Sequence, residues 1–231
     1  MIEFLLIDLD NTILDFTRSE YEALGKTLRA FGLEPTAAVR ARYSQINHDH
    51  WERLERKELT RQQVVVGRFE TLLREFGQVA DAQAMSSAYE DNLAYGQQHY
   101  LPGAEEALER LGRKYRLYLV TNGTAHVSRP KLQSSGAGKY FREVFISQEM
   151  GADKPSMEYF RACFGKIPGF DVSRAMIVGD SLTSDIQGGI NAGMRTCWVN
   201  PGHKKGREDI PADYEIENLS QLEELLETID N

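Results

Sequence analysis

Two aspartates two residues apart, Asp8 and Asp10, follow directly on the apolar run Phe4-Leu5-Leu6-Ile7, and they are the first residues in the chain to suggest chemistry. Further along, Thr121-Asn122-Gly123 follows Leu117-Tyr118-Leu119-Val120, and Gly179-Asp180 follows Ala175-Met176-Ile177-Val178. Each polar group therefore sits just past the carboxyl end of a predicted strand, where open α/β sheets form their ligand crevice. Asp8, Asp10 and Asp180 together make a cluster of hard oxygens suited to Mg²⁺, and such a cluster is electrostatically costly without a cation. An isolated Asp-x-Asp is more simply a solvated turn with a helix cap. The strand before this one and the acid from a distant strand argue against that reading here. A calcium loop is excluded, because that pattern needs Gly at its sixth position and Glu at its twelfth. The loop opened by Asp8 has Ile13 and Ser19 there, and one opened by Asp180 has Asp185 at its sixth position.

The elements that must position these groups can be read from hydrophobic periodicity. Continuous apolar runs without a polar face are expected of strands in a parallel sheet covered on both sides. Such a run occurs at Phe4–Ile7, and further strands are expected at Tyr115–Val120, Val144–Ile146, Ala175–Val178 and Thr196–Val199, with helical patterns between the later ones at Tyr159–Phe164 and Ser184–Ala192. This alternation predicts a doubly wound, Rossmann-like α/β fold. The gap between the first two strands is far longer than one crossover helix requires. Residues 16–100 are helical in pattern, with Tyr21, Leu24 and Leu28, then Val65, Phe69, Leu72 and Leu73, at turn spacing; Thr60 is a predicted N-cap and Gly77 a stop. An inserted α-helical cap is therefore expected over residues 16–100, with the α/β core in 1–15 and 101–231. Ser220 and Glu223 read as a capping box opening a final amphipathic helix, and Pro201–Pro211 as a loop.

At 231 residues, with 41% hydrophobic and 27% charged, the chain can bury a sizeable core. Its 27 Lys and Arg against 35 Asp and Glu give a formal net charge of −8, which repels polyanions. Neither nucleic acid nor a membrane surface is an expected partner. Two cysteines, Cys163 and Cys197, are too few for a disulfide framework and lack metal-finger spacing, which fits a reducing, cytoplasmic setting. The apolar N-terminal run is broken at Asp8, too early for a signal peptide or a membrane span. A monomer and a dimer both remain open.

Asp8-Leu9-Asp10-Asn11-Thr12-Ile13, Thr121-Asn122-Gly123, Lys154-Pro155 and Gly179-Asp180-Ser181-Leu182-Thr183-Ser184-Asp185 resemble the four motifs of the haloacid dehalogenase superfamily, in order and suitably spaced. Taken alone, Lys154 would be a surface lysine before a helix starting at Pro155; the series of four gives the pattern its specificity. The resemblance implies Asp8 as a nucleophile forming an aspartyl phosphate and Asp10 as the general acid and base. It further implies Mg²⁺ held by Asp8, the Asp10 carbonyl and Asp180, with phosphate oxygens gripped by the Thr121 hydroxyl, the Asn122 N–H and Lys154. Asp185 would orient the metal's surroundings or Lys154. Asp10 argues for a phosphatase over a dehalogenase, because halide leaves without a proton and dehalogenases of this type lack the second acid.

In the cap, Asp15-Phe16, Glu20, Ala23-Leu24, Asn47, Trp51, Thr60 and Gly67-Arg68-Phe69-Glu70 resemble YjjG-type pyrimidine 5′-nucleotidases. The implied substrate is a small phosphorylated metabolite, a nucleoside monophosphate by preference. The alternatives are a sugar phosphate or phosphoglycolate, and a non-catalytic binding module that would be expected to have lost a nucleophile or metal ligand. Phe16 and Trp51 could flank a base and Arg68 could meet a carbonyl or hydroxyl. Phe69 is expected to pack between helices, while for Phe16 and Arg68 packing and substrate contact stand equally open. His48-Asp49-His50 are expected to be solvated, since residues two apart on a helix face different directions. Pro130 would be tolerated only in the first turn of a helix, which leaves the segment after Thr121 open. Lys204-Lys205 and Arg207-Glu208-Asp209 are expected to be solvated loop residues.

Overall fold

The computed structural model describes residues 1–230. Strand β1 (Phe4–Ile7) is followed by four helices, α1 (Phe16–Ala30), α2 (Ala37–Glu55), α3 (Arg61–Glu75) and α4 (Ala82–Ala94). The chain then alternates through α5 (Ala104–Lys114), β2 (Arg116–Thr121), α6 (Ala125–Ser135), β3 (Glu143–Ile146), α7 (Ser147–Met150), α8 (Met157–Phe164) and β4 (Ala175–Gly179). It ends with α9 (Gln187–Ala192), β5 (Arg195–Val199), β6 (Tyr214–Ile216) and α10 (Leu222–Asp230). All strand pairings are parallel, in the order β3-β2-β1-β4-β5-β6. This is the doubly wound sheet expected from the sequence, and its order reverses beside β1, placing a topological switch point at the end of β1 and β4.

Side-chain alternation explains why the strands are apolar throughout. Leu5, Ile7, Leu117, Leu119, Met176 and Val178 pack on one face against α5 and α10, through Leu108, Leu111, Leu222 and Leu226. Phe4, Leu6, Tyr118, Val120 and Ile177 pack on the other against Tyr159, Phe160 and Cys163 of α8. Cys163 and Cys197 are buried free thiols.

Helices α1 to α4 have an apolar centre of their own, built on Leu24, Leu28, Tyr43, Phe69, Leu72 and Tyr89. Phe69 packs against Tyr43 in a tilted contact and against Tyr89 edge-on, as expected of a packing residue. Tyr21 is exposed instead of joining the stripe with Leu24 and Leu28, and Arg40 lies over its ring. Thr60 caps α3 in a full capping box with Gln63, and Gly77 takes φ +62° just after Phe76 ends that helix. The two connections to the sheet run side by side: Asp15 N–H donates to His99 O at 2.8 Å and Leu101 N–H to Ile13 O at 2.8 Å.

Four expectations are corrected. His50 is buried, with Nδ1–H donating to Ile46 O at 2.8 Å, because it continues the inward row Tyr43, Ile46, Leu54 on α2; His48 remains exposed. Pro130 lies inside α6. The carbonyl it deprives of a partner belongs to His126, on the exposed side, where water can replace the lost bond. Ser220 and Glu223 form no capping box: Asn218 accepts from Ser220 N–H, and Glu223 pairs with Arg110 and Lys114. The helix expected from Ser184 opens earlier, as a π-turn over Leu182–Ile186 that runs into α9.

Candidate active site

The carboxyl ends of β1, β2 and β4 converge on one cleft, roofed by α1 to α4. Asp8 N–H donates to Val178 O at 2.9 Å, which registers the first aspartate against β4. The chain then folds tightly, with Ile13 and Leu14 N–H both bonded to Leu9 O, so that Asp8 and Asp10 line the same cleft. Asn11 sits at φ +61°, where Asn is tolerated better than most residues, and its side chain accepts from Thr17 N–H at 3.0 Å. Thus the loop carrying the acids is tied directly to the start of α1.

Carboxylate oxygens of Asp8, Asp180 and Asp185 lie within 4.8 Å of one another. Trp198 Nε1–H holds the Asp180 carbonyl at 2.9 Å. Asp185 accepts from Ser181 N–H at 3.1 Å, and a Cβ on Gly179 would stand 2.2 Å from its Oδ2, so only glycine fits there. Lys154 Nζ, fully buried, donates to Asp8 Oδ1 and Asp185 Oδ1 at 2.6 Å each and to Val120 O at 3.0 Å. Burial alone would depress the Lys154 ammonium, but Asp185 and Asp8 outweigh it and hold its pKa above the ordinary value. Burial pushes the Asp8 carboxyl up to about 7; Lys154 opposes this, and Asp185 and Asp10 add to it. Asp180 is likewise raised, by burial first and then by Asp8 and Asp185. Three acids sharing one ammonium are short of positive charge.

The Asn122 side chain pairs with the backbone of Lys154, accepting from its N–H at 2.8 Å and donating to its carbonyl at 2.9 Å. Thr121 is buried, its Oγ1 accepting from Gly123 N–H at 3.3 Å. The structure therefore brings Asp8, Asp10, Thr121, Asn122, Lys154, Asp180 and Asp185 to a single cleft, and Phe16 and Arg68 line it from α1 and α3. Arg68 Nη1 donates to Asn47 Oδ1 at 2.8 Å, as Trp51 Nε1 does at 3.1 Å, while Asn47 Nδ2 donates to Glu20 at 3.2 Å.

Several residues of the cleft carry no signal in the sequence. Lys131, buried in α6, ion-pairs with Asp10. Val127 and Ser128, which line the cleft, share the buried face of α6 with it, a spacing masked by Pro130. Glu55 and Glu90 line the cleft from α2 and α4. Burial pushes Glu55 up to about 7, with a hydrogen bond from Thr183 opposing. Arg61, at the first position of α3, reaches across to the core: it donates to the carbonyls of Asn122 (2.8 Å) and Gly123 (3.3 Å) and the Ser147 hydroxyl (2.5 Å), and pairs with Asp153.

Residues 5–199 match the family described as haloacid dehalogenase-like hydrolase. The chain belongs to this hydrolase family. Among relatives of this haloacid dehalogenase-like hydrolase, the HAD-hydrolase YfnB of Bacillus subtilis is 39% identical over 96% of this chain and 94% of its own. The pyrimidine 5′-nucleotidase PynA of Streptococcus pneumoniae is 37% identical, covering 97% and 95%. The pyrimidine 5′-nucleotidase YjjG of Escherichia coli is 29% identical over 97% of each chain. The crystal structure of YfnB bound to magnesium matches this hydrolase with a TM-score of 0.92 at 38% identity, over 97% of this chain and 98% of that one. Among the described residues no helix is long and apolar enough to cross a membrane.

Proposed function

We propose that the protein is a Mg²⁺-dependent phosphomonoesterase that works through an aspartyl phosphate and prefers pyrimidine nucleoside 5′-monophosphates. The observation that carries this is the two-sided cleft, with acids, Lys154, Thr121 and Asn122 on the sheet side and Phe16, Trp51 and Arg68 on the cap side. Substrate names of PynA and YjjG, which align over nearly the whole chain, support the choice of nucleotide.

The donor set fits Mg²⁺, since Asp8, Asp180 and Asp185 offer only hard oxygens close enough to share one ion. Asp8, Asp180 and the Asp10 carbonyl would hold it, with Asp185 fixing Lys154 beside them. When bound, the ion supplies positive charge that offsets the repulsion between the Asp8 carboxylate and an anionic phosphate. Asp8 attacks phosphorus, forming an O–P bond as the ester O–P bond breaks, and Asp10 gives its proton to the departing alkoxide. Asp10 then takes a proton from water as the water oxygen attacks phosphorus, which frees Asp8 and releases inorganic phosphate. Thr121 hydroxyl, Asn122 N–H and the Lys154 ammonium hold the phosphoryl oxygens, the positioning on which phosphoryl transfer depends.

A panel of nucleoside monophosphates, sugar phosphates and phosphoglycolate, ranked by kcat/KM with Mg²⁺ and with EDTA, tests this reading. Pyrimidine nucleotides are expected to lead, and EDTA to stop turnover. In the same panel, Arg68→Ala and Phe16→Ala are expected to lower kcat/KM for nucleotides by about 10-fold or more, the scale of one lost pocket contact. Their effect on a small aryl phosphate, too short to reach the cap, should be smaller. Equal losses on both substrates would assign these residues to packing and reduce the reading to an unspecified phosphomonoester.

Cap and core meet tightly, leaving a cleft of about 230 Å³, below the ~300–1,000 Å³ usual for ligand pockets. Arg61 of α3 ties together the Asn122 and Asp153 segments, which carry the phosphate-gripping groups. Arg61→Ala is expected to lower kcat/KM by about 10–10²-fold through misplacement of these groups. Steady-state kinetics with and without guanidinium in the buffer checks this, since the free cation should restore part of the loss.

A further inference from the structure

We infer that Lys131 is a positioning residue for proton transfer: its ammonium occupies Oδ1 of Asp10 and so makes Oδ2 the oxygen that carries the proton to and from the substrate. This rests on the phosphomonoesterase reading above and deepens it at one atom. Lys131 stands within α6 and is 1% exposed. Its Nζ donates to Asp10 Oδ1, and Asp10 is its one ion-pair partner among the described residues. The Phe16 ring lies 5.1 Å from the same ammonium, a cation–π contact that fixes it further. Asp10 lines the cleft, whereas Lys131 does not, so the lysine meets the carboxyl group and leaves the substrate to it.

Stability gives little reason for a lysine at this position. Burying an ammonium costs most of what a single carboxylate partner returns, and a methionine would fill nearly the same volume without that cost. Nor does Asp10 need the lysine for solvation, since its side chain is 30% exposed. What the ammonium supplies is direction. A carboxyl group turns broadly about its last bond, so an unheld Asp10 would offer either oxygen at varying angles. With Oδ1 held, Oδ2 has no hydrogen bond within the protein among the described residues and is the one oxygen open to the reacting groups. Proton transfer needs the two heavy atoms about 2.6–3.2 Å apart. The proton moves from Asp10 Oδ2 to the departing ester oxygen in the first step and from the attacking water to the same Oδ2 in the second, while Lys131 keeps its own protons throughout.

Lys131→Met keeps the length of the side chain and removes the donor. For the best alkyl ester of the panel above, its kcat is expected to fall about 10–10²-fold, the scale of a misplaced reacting group. Rapid release of p-nitrophenol from p-nitrophenyl phosphate, a step that needs no proton, should change less than about threefold. A residue that gripped phosphate or only held the fold would slow both. In an Asp10→Asn background, where no proton is carried, adding Lys131→Met should alter steady turnover of p-nitrophenyl phosphate by less than about threefold. Lys131→Gln, shorter but still a donor, repeats both comparisons with the same pattern expected if circular dichroism shows the methionine variant unfolded. Equal slowing of the alkyl ester and of phenol release, unchanged alkyl hydrolysis, or full additivity with Asp10→Asn overturns the positioning role, as does failure of both variants to fold. Absence of wild-type turnover on either ester would instead remove the phosphomonoesterase reading and the role of Lys131 with it.

Discussion

No measurable turnover is expected from Asp8→Asn under conditions where the wild-type protein hydrolyses an aryl phosphate with Mg²⁺. Lys154 engages only Oδ1 of Asp8, and among the described residues the other oxygen has no hydrogen bond within the protein, so it is available to attack. An amide of almost the same shape can still accept from Lys154 through its oxygen, but it presents nitrogen, a poor nucleophile, where Oδ2 stood. The loss should be on the order of 10⁴-fold or more, the scale seen when a covalent nucleophile is removed from other hydrolases. The fold should not suffer. Asp8, Asp180 and Asp185 crowd together around one lysine, and neutralising one acid relieves repulsion that no cation offsets in the presence of a chelator. Thermal denaturation in EDTA is therefore expected to place the variant's Tm at or above that of the wild type. Retained turnover would refute the covalent step. A collapsed Tm would assign Asp8 to structure.

The parts of this site legible in the sequence are those fixed by the sheet. A strand buried on both faces must be apolar along its length. The first acids after Phe4–Ile7 and Ala175–Gly179 therefore mark the rim, and Thr121 marks the end of β2. The rest is set by docking between segments far apart in the chain. Arg61 meets Asn122 and Asp153, and Glu90 meets Thr124, with no periodicity announcing either contact. His50 is legible in principle: it stands at helical spacing from Tyr43, Ile46 and Leu54, and only its apparent pairing with His48 obscures this. Strand β6 is not, because Tyr214-Glu215-Ile216 is short, lies at the sheet edge and leaves Glu215 exposed. Lys131 is masked by its neighbour Pro130, which reads as a helix breaker. A proline within a helix costs one hydrogen bond, however, and here that bond lies on the solvent side.

Lys131 bears directly on the second large effect, that of Asp10→Asn. The Asp10 carboxyl is held by a fully buried ammonium that also lies 5.1 Å from the centre of the Phe16 ring, so its position is fixed from the core and from the first cap helix together. An asparagine there can still accept from Lys131 and keep the geometry, but it carries no proton to give or take. For an alkyl ester such as a nucleotide, whose leaving alkoxide needs that proton, kcat should fall by ~10²–10⁴-fold, the usual worth of general acid–base assistance. An aryl phosphate leaves as a stabilised phenoxide, so its first step should be slowed little. Its second step, attack of water on the aspartyl phosphate, still lacks a base. Asp10→Asn is therefore expected to release one equivalent of phenol per active site in a rapid burst, followed by slow turnover, whereas the wild type shows no burst. Rapid-mixing kinetics with p-nitrophenyl phosphate reads this directly. If both substrates lost activity equally and no burst appeared, Asp10 would be acting through its position between Lys131 and the metal site and not as the proton carrier.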